Sequence, residues 1–101
     1  MSSIIKAALA ERGYTVSVVR ESWLAYKTIP SATDCESNEK PPQWLVEPWT
    51  DGERYVVSST GCAGGQWYQV RAYHVLEGEL LDTLPEIERR LAAGWAAMAG
   101  G

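Results

Sequence analysis

The chain has no phenylalanine, one histidine, two cysteines and no excess of base. Each shortage closes off a class of function. A lone His74 and two separated cysteines, Cys35 and Cys62, do not give the ligand spacing of a zinc site. Nine Lys and Arg stand against thirteen Asp and Glu, for a formal net charge of −4. A duplex DNA or RNA binder needs a cationic face that displaces counterions, so nucleic acid is not an expected partner. No apolar run approaches the ~18 residues of a membrane span. The opening Met-Ser-Ser lacks the charged and apolar regions of a secretory signal. A cytoplasmic location follows as the expectation, with both thiols reduced and no membrane partner. The phosphate-cradle motif is also missing. The glycine-rich stretch Gly61-Cys62-Ala63-Gly64-Gly65 leads into Gln66 and a strand pattern, where a phosphate loop would lead into lysine and a helix. No cofactor and no metal site is expected.

What remains is a chain of 101 residues, 46% hydrophobic, the size of a single domain spanning 1–101. Five Trp and five Tyr carry the whole aromatic load. Each has a polar edge that wants a partner or solvent, which suits half-buried sheet faces and interfaces.

The element pattern is readable. Ile4, Ile5, Ala8 and Leu9 form a helical stripe behind a Ser2 or Ser3 cap, and Gly13 is placed to end it, predicting a helix over 3–12. Alternating β-branched residues predict a strand from Tyr14 to Arg20. Trp23 to Ile29 reads as a second strand folding back on it, with a short helix from Ser22 as the alternative. Pro30 to Pro42 has no apolar period and reads as a long loop. Two apolar runs flank Asp51-Gly52, which predicts a two-residue hairpin pairing Trp44 with Ser59, Val46 with Val57 and Pro48 with Tyr55. Pro48 lacks an N–H, which argues for an edge strand or a bulge. After the glycine linker, Trp67 to Leu76 reads as the last strand, with bulk on both faces. Thr83-Leu84-Pro85-Glu86 is a capping box with proline in the first turn, predicting a final helix from about Leu84. Leu84, Ile87, Leu91, Trp95 and Met98 are its core stripe. The expected fold class is α+β: a two-layer sandwich with an antiparallel sheet of three to four strands, flanked by an N-terminal and a C-terminal helix.

This order superficially resembles that of double-stranded-RNA-binding domains. The start of the final helix, however, carries Asp82, Glu86 and Glu88 where a basic cluster would meet phosphate, and that repulsion opposes docking.

Function is less legible. Trp44 and Trp49 stand five positions apart, which sends them to opposite faces of one strand, so at least one is expected at the surface. Between Glu77 and Glu88 there are five carboxylates and no base. Glu86 and Glu88 read as complements of the helix dipole, and Glu77 and Glu79 as solvated turn residues. Together they also make a patch that would steer a basic partner. The favoured reading is a small non-catalytic protein-binding module, an inhibitor or adaptor of the accessory kind carried by phages and mobile elements. Its contact residues would be Trp44, Trp49, Arg54, Trp67, Glu77, Glu79 and Asp82. A homodimer is expected as well, because an edge strand leaves backbone groups unpaired. A second reading is a small-ligand pocket between the helices and a Trp-lined sheet. A third is a hydrolase or transferase that uses Cys62 as nucleophile and His74 as base.

Overall fold

A computed structural model describes residues 2–29, 42–50, 52–63 and 66–100, with side chains given for these except at 2, 62, 63, 66–71, 96 and 98–100. The first helix, α1, spans Ser2–Glu11. It ends in a Schellman turn. Tyr14 N donates to Leu9 O at 3.0 Å and Gly13 N to Ala10 O at 3.0 Å. Gly13 sits at φ 97°, where a Cβ would be strained, so glycine at this position stops the helix and aims the chain at the sheet.

Five strands follow: β1 (Thr15–Val19), β2 (Ser22–Thr28), β3 (Gln43–Pro48), β4 (Arg54–Ala63) and β5 (Gln66–Leu76). They lie in one antiparallel sheet in sequence order, β1-β2-β3-β4-β5. The count is five where the sequence pattern predicts three to four. Residues 22–28 form the strand expected for Trp23 to Ile29, not the alternative helix, and each of the five runs that read as strands is one. The second helix, α2, spans Glu77–Gly100 and starts with no intervening loop where β5 ends.

The hairpin register of β3 and β4 is as the pattern predicts: Trp44 pairs with Ser59, Val46 with Val57 and Pro48 with Tyr55. Its turn differs. Gly52 N donates to Trp49 O at 3.1 Å, closing the turn one rung earlier than a two-residue loop at Asp51-Gly52 would. β3 is also a central strand, not an edge. Pro48 is tolerated because it is the last residue of β3, two positions past Val46, where the pairing with β2 stops.

The glycine linker is also revised. Gly61, Cys62 and Ala63 are the last rungs of β4, and Ala63 pairs directly with Gln66. Gly61 is there for space. A Cβ on it would lie 2.8 Å from Pro42 Cα and 3.0 Å from the tip of the Trp95 ring. Gly61→Ala is therefore expected to cost about 1–3 kcal/mol by overpacking, read as a lower denaturant midpoint at unchanged slope.

The capping box at Thr83 lies inside α2, not at its start. Thr83 Oγ1 donates back to Glu79 O at 2.8 Å, and Pro85 sits within the helix on its exposed side. The true start is Glu77, whose N–H donates to Glu53 O at 3.1 Å and ties the helix to the β3–β4 turn.

Both helices cover the same sheet face. Ile5 and Leu9 of α1, and Leu80, Leu84, Ile87, Leu91 and Trp95 of α2, share one core. That core includes Trp23, Ala25, Trp44, Val46, Tyr55, Val57 and Val75 from the sheet. The stripe expected on the final helix is thus buried at Leu84, Ile87, Leu91 and Trp95; Met98 lies outside the described side chains. The opposite sheet face carries Leu24, Tyr26 and Leu45, all partly exposed and outside that core. Among the described residues, no helix is long and apolar enough to cross a membrane.

Candidate functional site

Two arrangements could carry function. The first is a polar knot inside the core. Glu88 is buried, although it is a carboxylate. Tyr14 Oη donates to its Oε2 at 2.5 Å and Arg12 Nη2 to its Oε1 at 3.0 Å. Its backbone oxygen accepts from Trp44 Nε1 at 3.0 Å. Lys27 Nζ donates to Arg12 O at 2.8 Å and lies 5.8 Å from the Tyr14 ring and 5.6 Å from the Trp44 ring. Burial, then the hydrogen bond and charge of Glu88, push the Tyr14 hydroxyl well above the ordinary tyrosine pKa. Every Glu88 oxygen meets a donor, and the knot ties the end of α1 to the middle of α2. This is a structural staple. Reading Glu88 as a surface complement to the helix dipole is therefore corrected.

The second arrangement is at the surface, where the β3–β4 turn meets the start of α2. Trp49 is 42% exposed, and its ring meets His74 edge-on at 4.8 Å between centroids. Arg54 O accepts from Trp49 N at 2.8 Å, and Arg54 pairs across the sheet with Leu76, a further exposed apolar residue. One residue on, Glu77 begins the helix. Its carboxylate faces the Tyr55 hydroxyl at 3.5 Å, and the burial of Tyr55 with the charge of Glu77 raises the pKa of that hydroxyl. Glu79 and Asp82 are exposed on the next turns. The bond from Glu77 N to Glu53 O holds these parts together, so the aromatic hairpin and the acidic segment are one corner of the molecule.

Beside this corner, an open groove of about 270 Å³ runs between β5 and α2. Tyr73, His74 and Val75 form one wall, and Glu79, Ile87 and Arg90 the other. Arg90 closes one end. It bonds to Glu86 at 2.9 Å and to Tyr73, and both contacts hold its guanidinium above its ordinary pKa. Glu86 also bonds to Arg89, and these two arginines keep its carboxyl below the usual range.

Of the residues singled out from the sequence, Trp49, Arg54, Glu77 and Glu79 meet at this corner, with Asp82 on the next turn of the helix. Trp44 does not. It is buried, packed behind the sheet with its indole N–H on Glu88 O, and so offers nothing to a partner. The Trp67 side chain lies outside the described residues. Sequence reasoning misses the groove-lining Tyr73, Val75, Ile87 and Arg90, because neither the edge position of β5 nor the course of α2 along it is visible in a linear pattern. The Glu88 knot had a readable mark. Leu84, Glu88, Leu91 and Trp95 recur at intervals of four, three and four, which places Glu88 on the buried stripe.

The sheet register also bears on Cys62 and His74. Cys62 pairs with Trp67 and His74 with Val56, seven positions further along β5. At ~3.3 Å per residue the two backbones stand roughly 20 Å apart, far beyond the reach of a thiol–imidazole pair. Among the described residues, no group of His, Cys, Asp or Glu is arranged to hold a metal ion. The chain matches no known protein-family model, no curated protein and no solved structure.

Proposed function

We propose that the chain is a small non-catalytic protein-binding module, an inhibitor or adaptor, that meets its partner at the corner formed by Trp49, His74, Arg54, Glu77 and Glu79. One observation carries this reading: a half-exposed tryptophan, held edge-on against His74, sits directly beside an acidic helix start. Tryptophan at a contact contributes large area with few rotamers to freeze, and an acidic rim steers a basic partner. The groove volume lies at or below the lower end of the range for small-molecule sites, which favours a protein contact over a buried ligand. The test is affinity selection of a phage-displayed peptide library on the wild type and on Trp49→Ser. Enrichment on the wild type that disappears on the folded variant supports the module. Equal enrichment on both, or none on either, removes this surface from consideration.

Self-association is part of the same proposal, and it belongs to the other side of the sheet. β1 is an edge strand with no charge, proline or bulge to blunt it. Val18 is 77% exposed on it, and Ile4 of α1 is 67% exposed. A homodimer pairing β1 with its copy is expected at tens of micromolar, reduced to monomer by Val18→Lys. A monomer mass for the wild type by light scattering at that concentration rejects it.

A further inference from the structure

We infer that the groove between β5 and α2 takes an extended, basic peptide segment as a sixth strand of the sheet. This rests on the binding-module reading and names what that module holds. Three observations converge. β5 is an edge strand: it pairs with β4 alone, so alternate backbone N–H and C=O groups on its outer side have no strand partner among the described residues. Chain added to such an edge gains a ladder of main-chain bonds that any sequence can make.

The second observation is that α2 runs back along β5 and supplies a wall. From Glu79 to Arg90 the helix advances eleven residues, roughly 16 Å, which is the span of about five residues of extended chain. Val75 on one wall and Ile87 on the other, both largely buried, give the groove an apolar base.

The third observation is charge. At the end of the groove nearest the β3–β4 turn stand Glu77, Glu79 and Asp82, with no lysine or arginine between Glu77 and Glu88. At the other end Arg90 is already bonded to Glu86 and Tyr73. Set against Arg54, which pairs with Leu76 at the same corner, the three carboxylates still leave that end net negative. The segment that fits is extended, carries Lys or Arg at that end, and places a small β-branched side chain over Val75 and Ile87. The shift of register between β4 and β5 supports this placement. Val57 pairs with Tyr73 but Ser59 with Val70, so β5 holds one extra residue just before the groove. A bulge there bends the strand and ends a flat edge, confining any added strand to the stretch from Tyr73 onward.

The experiment uses the full chain. A library of random dodecapeptides on phage is selected against the wild type, and the enriched peptides are synthesised with a fluorescent label and measured by anisotropy. The expected peptides carry Lys or Arg beside a β-branched residue. Their affinity falls at least tenfold on Glu79→Lys, an exposed position whose variant is checked for native circular dichroism. It falls as far when alternate backbone nitrogens on one edge of the peptide are methylated, whereas methylating the other edge changes little. Enriched peptides that bind equally well with either edge methylated, yet are lost on Trp49→Ser, overturn strand addition while leaving the binding module standing. Peptides without basic residues that ignore Glu79→Lys overturn the charge assignment and the inference with it. Peptides unaffected by both Trp49→Ser and Glu79→Lys, or no enrichment at all, overturn the inference and the module together.

Discussion

Trp95→Ala is expected to destabilise the protein by about 3–5 kcal/mol, the range for deleting a large buried aromatic side chain. Against a total stability of about 5–15 kcal/mol that can unfold a marginal chain outright. Trp95 is buried beneath α2, and its indole N–H donates to Ser59 Oγ at 2.7 Å. Ser59 is fully buried in β4, so it has no water to fall back on. The ring tip meets the space left by Gly61, which joins helix, strand and loop at one point. Trp95→Phe keeps most of the volume but orphans Ser59, for a smaller cost of about 1–3 kcal/mol. A double-mutant cycle with Ser59→Ala separates the two effects. The coupling between Trp95 and Ser59 is expected at about 1 kcal/mol, measured by urea unfolding. A coupling near zero would mean that the hydrogen bond contributes nothing beyond packing.

The second large effect is expected at Glu88. Glu88→Ala leaves the Tyr14 hydroxyl and the Arg12 guanidinium without their acceptor, a loss of about 2–4 kcal/mol. Arg12 is about a third exposed, so solvent takes back part of its share, and Tyr14 carries most of the cost. Thermal unfolding should drop by about 4–8 °C for each kcal/mol lost. The same knot predicts an alkaline response. A tyrosine in the unfolded chain ionises near 10.0, whereas Tyr14 in the folded chain holds its proton to higher pH. Its stabilising contribution is therefore complete below that value and is lost as pH rises above it, at up to about 1.4 kcal/mol per pH unit. Tyr55 shifts in the same direction, so Tyr14→Phe should make the alkaline slope shallower without abolishing it. An unchanged slope in Tyr14→Phe would show that this hydroxyl is not the buried group described.

The parts of this fold that are legible in sequence are those set by local geometry. The alternating apolar runs suffice to register β3 on β4, because a one-residue slip would turn Val46 and Val57 out of the core. Gly13 ends α1 because little else tolerates that backbone. Where local rules mislead, a tertiary contact has overridden them. Gly61 looks like a turn and is a strand residue shaved to admit Pro42 and Trp95. Thr83-Leu84-Pro85-Glu86 looks like a helix start, but the helix has already begun at Glu77, anchored by a bond to Glu53 O that no pattern announces. The candidate site is legible in its parts and not in their assembly. Trp49 and the carboxylates stand out by type, but their meeting depends on Arg54 pairing with Leu76, the last residue of β5, one position before Glu77 opens α2. Trp44, equally conspicuous by type, is spent on the core.

The sequence-order sheet has a bearing on how the chain reaches this state. Each strand pairs with the one just made, so the meander can zip forward from any hairpin, the longest closure being the fourteen residues between Thr28 and Gln43. The bonds from Arg12 and Tyr14 to Glu88 are different, joining residues 76 and 74 positions apart. Loop-closure entropy places such contacts late, after the sheet has brought the two ends within reach. The knot then acts as a latch on a finished fold. Loosening it should leave the refolding rate nearly unchanged and show itself almost wholly as faster unfolding, so the lifetime of the native state, more than its speed of formation, is set by one buried carboxylate.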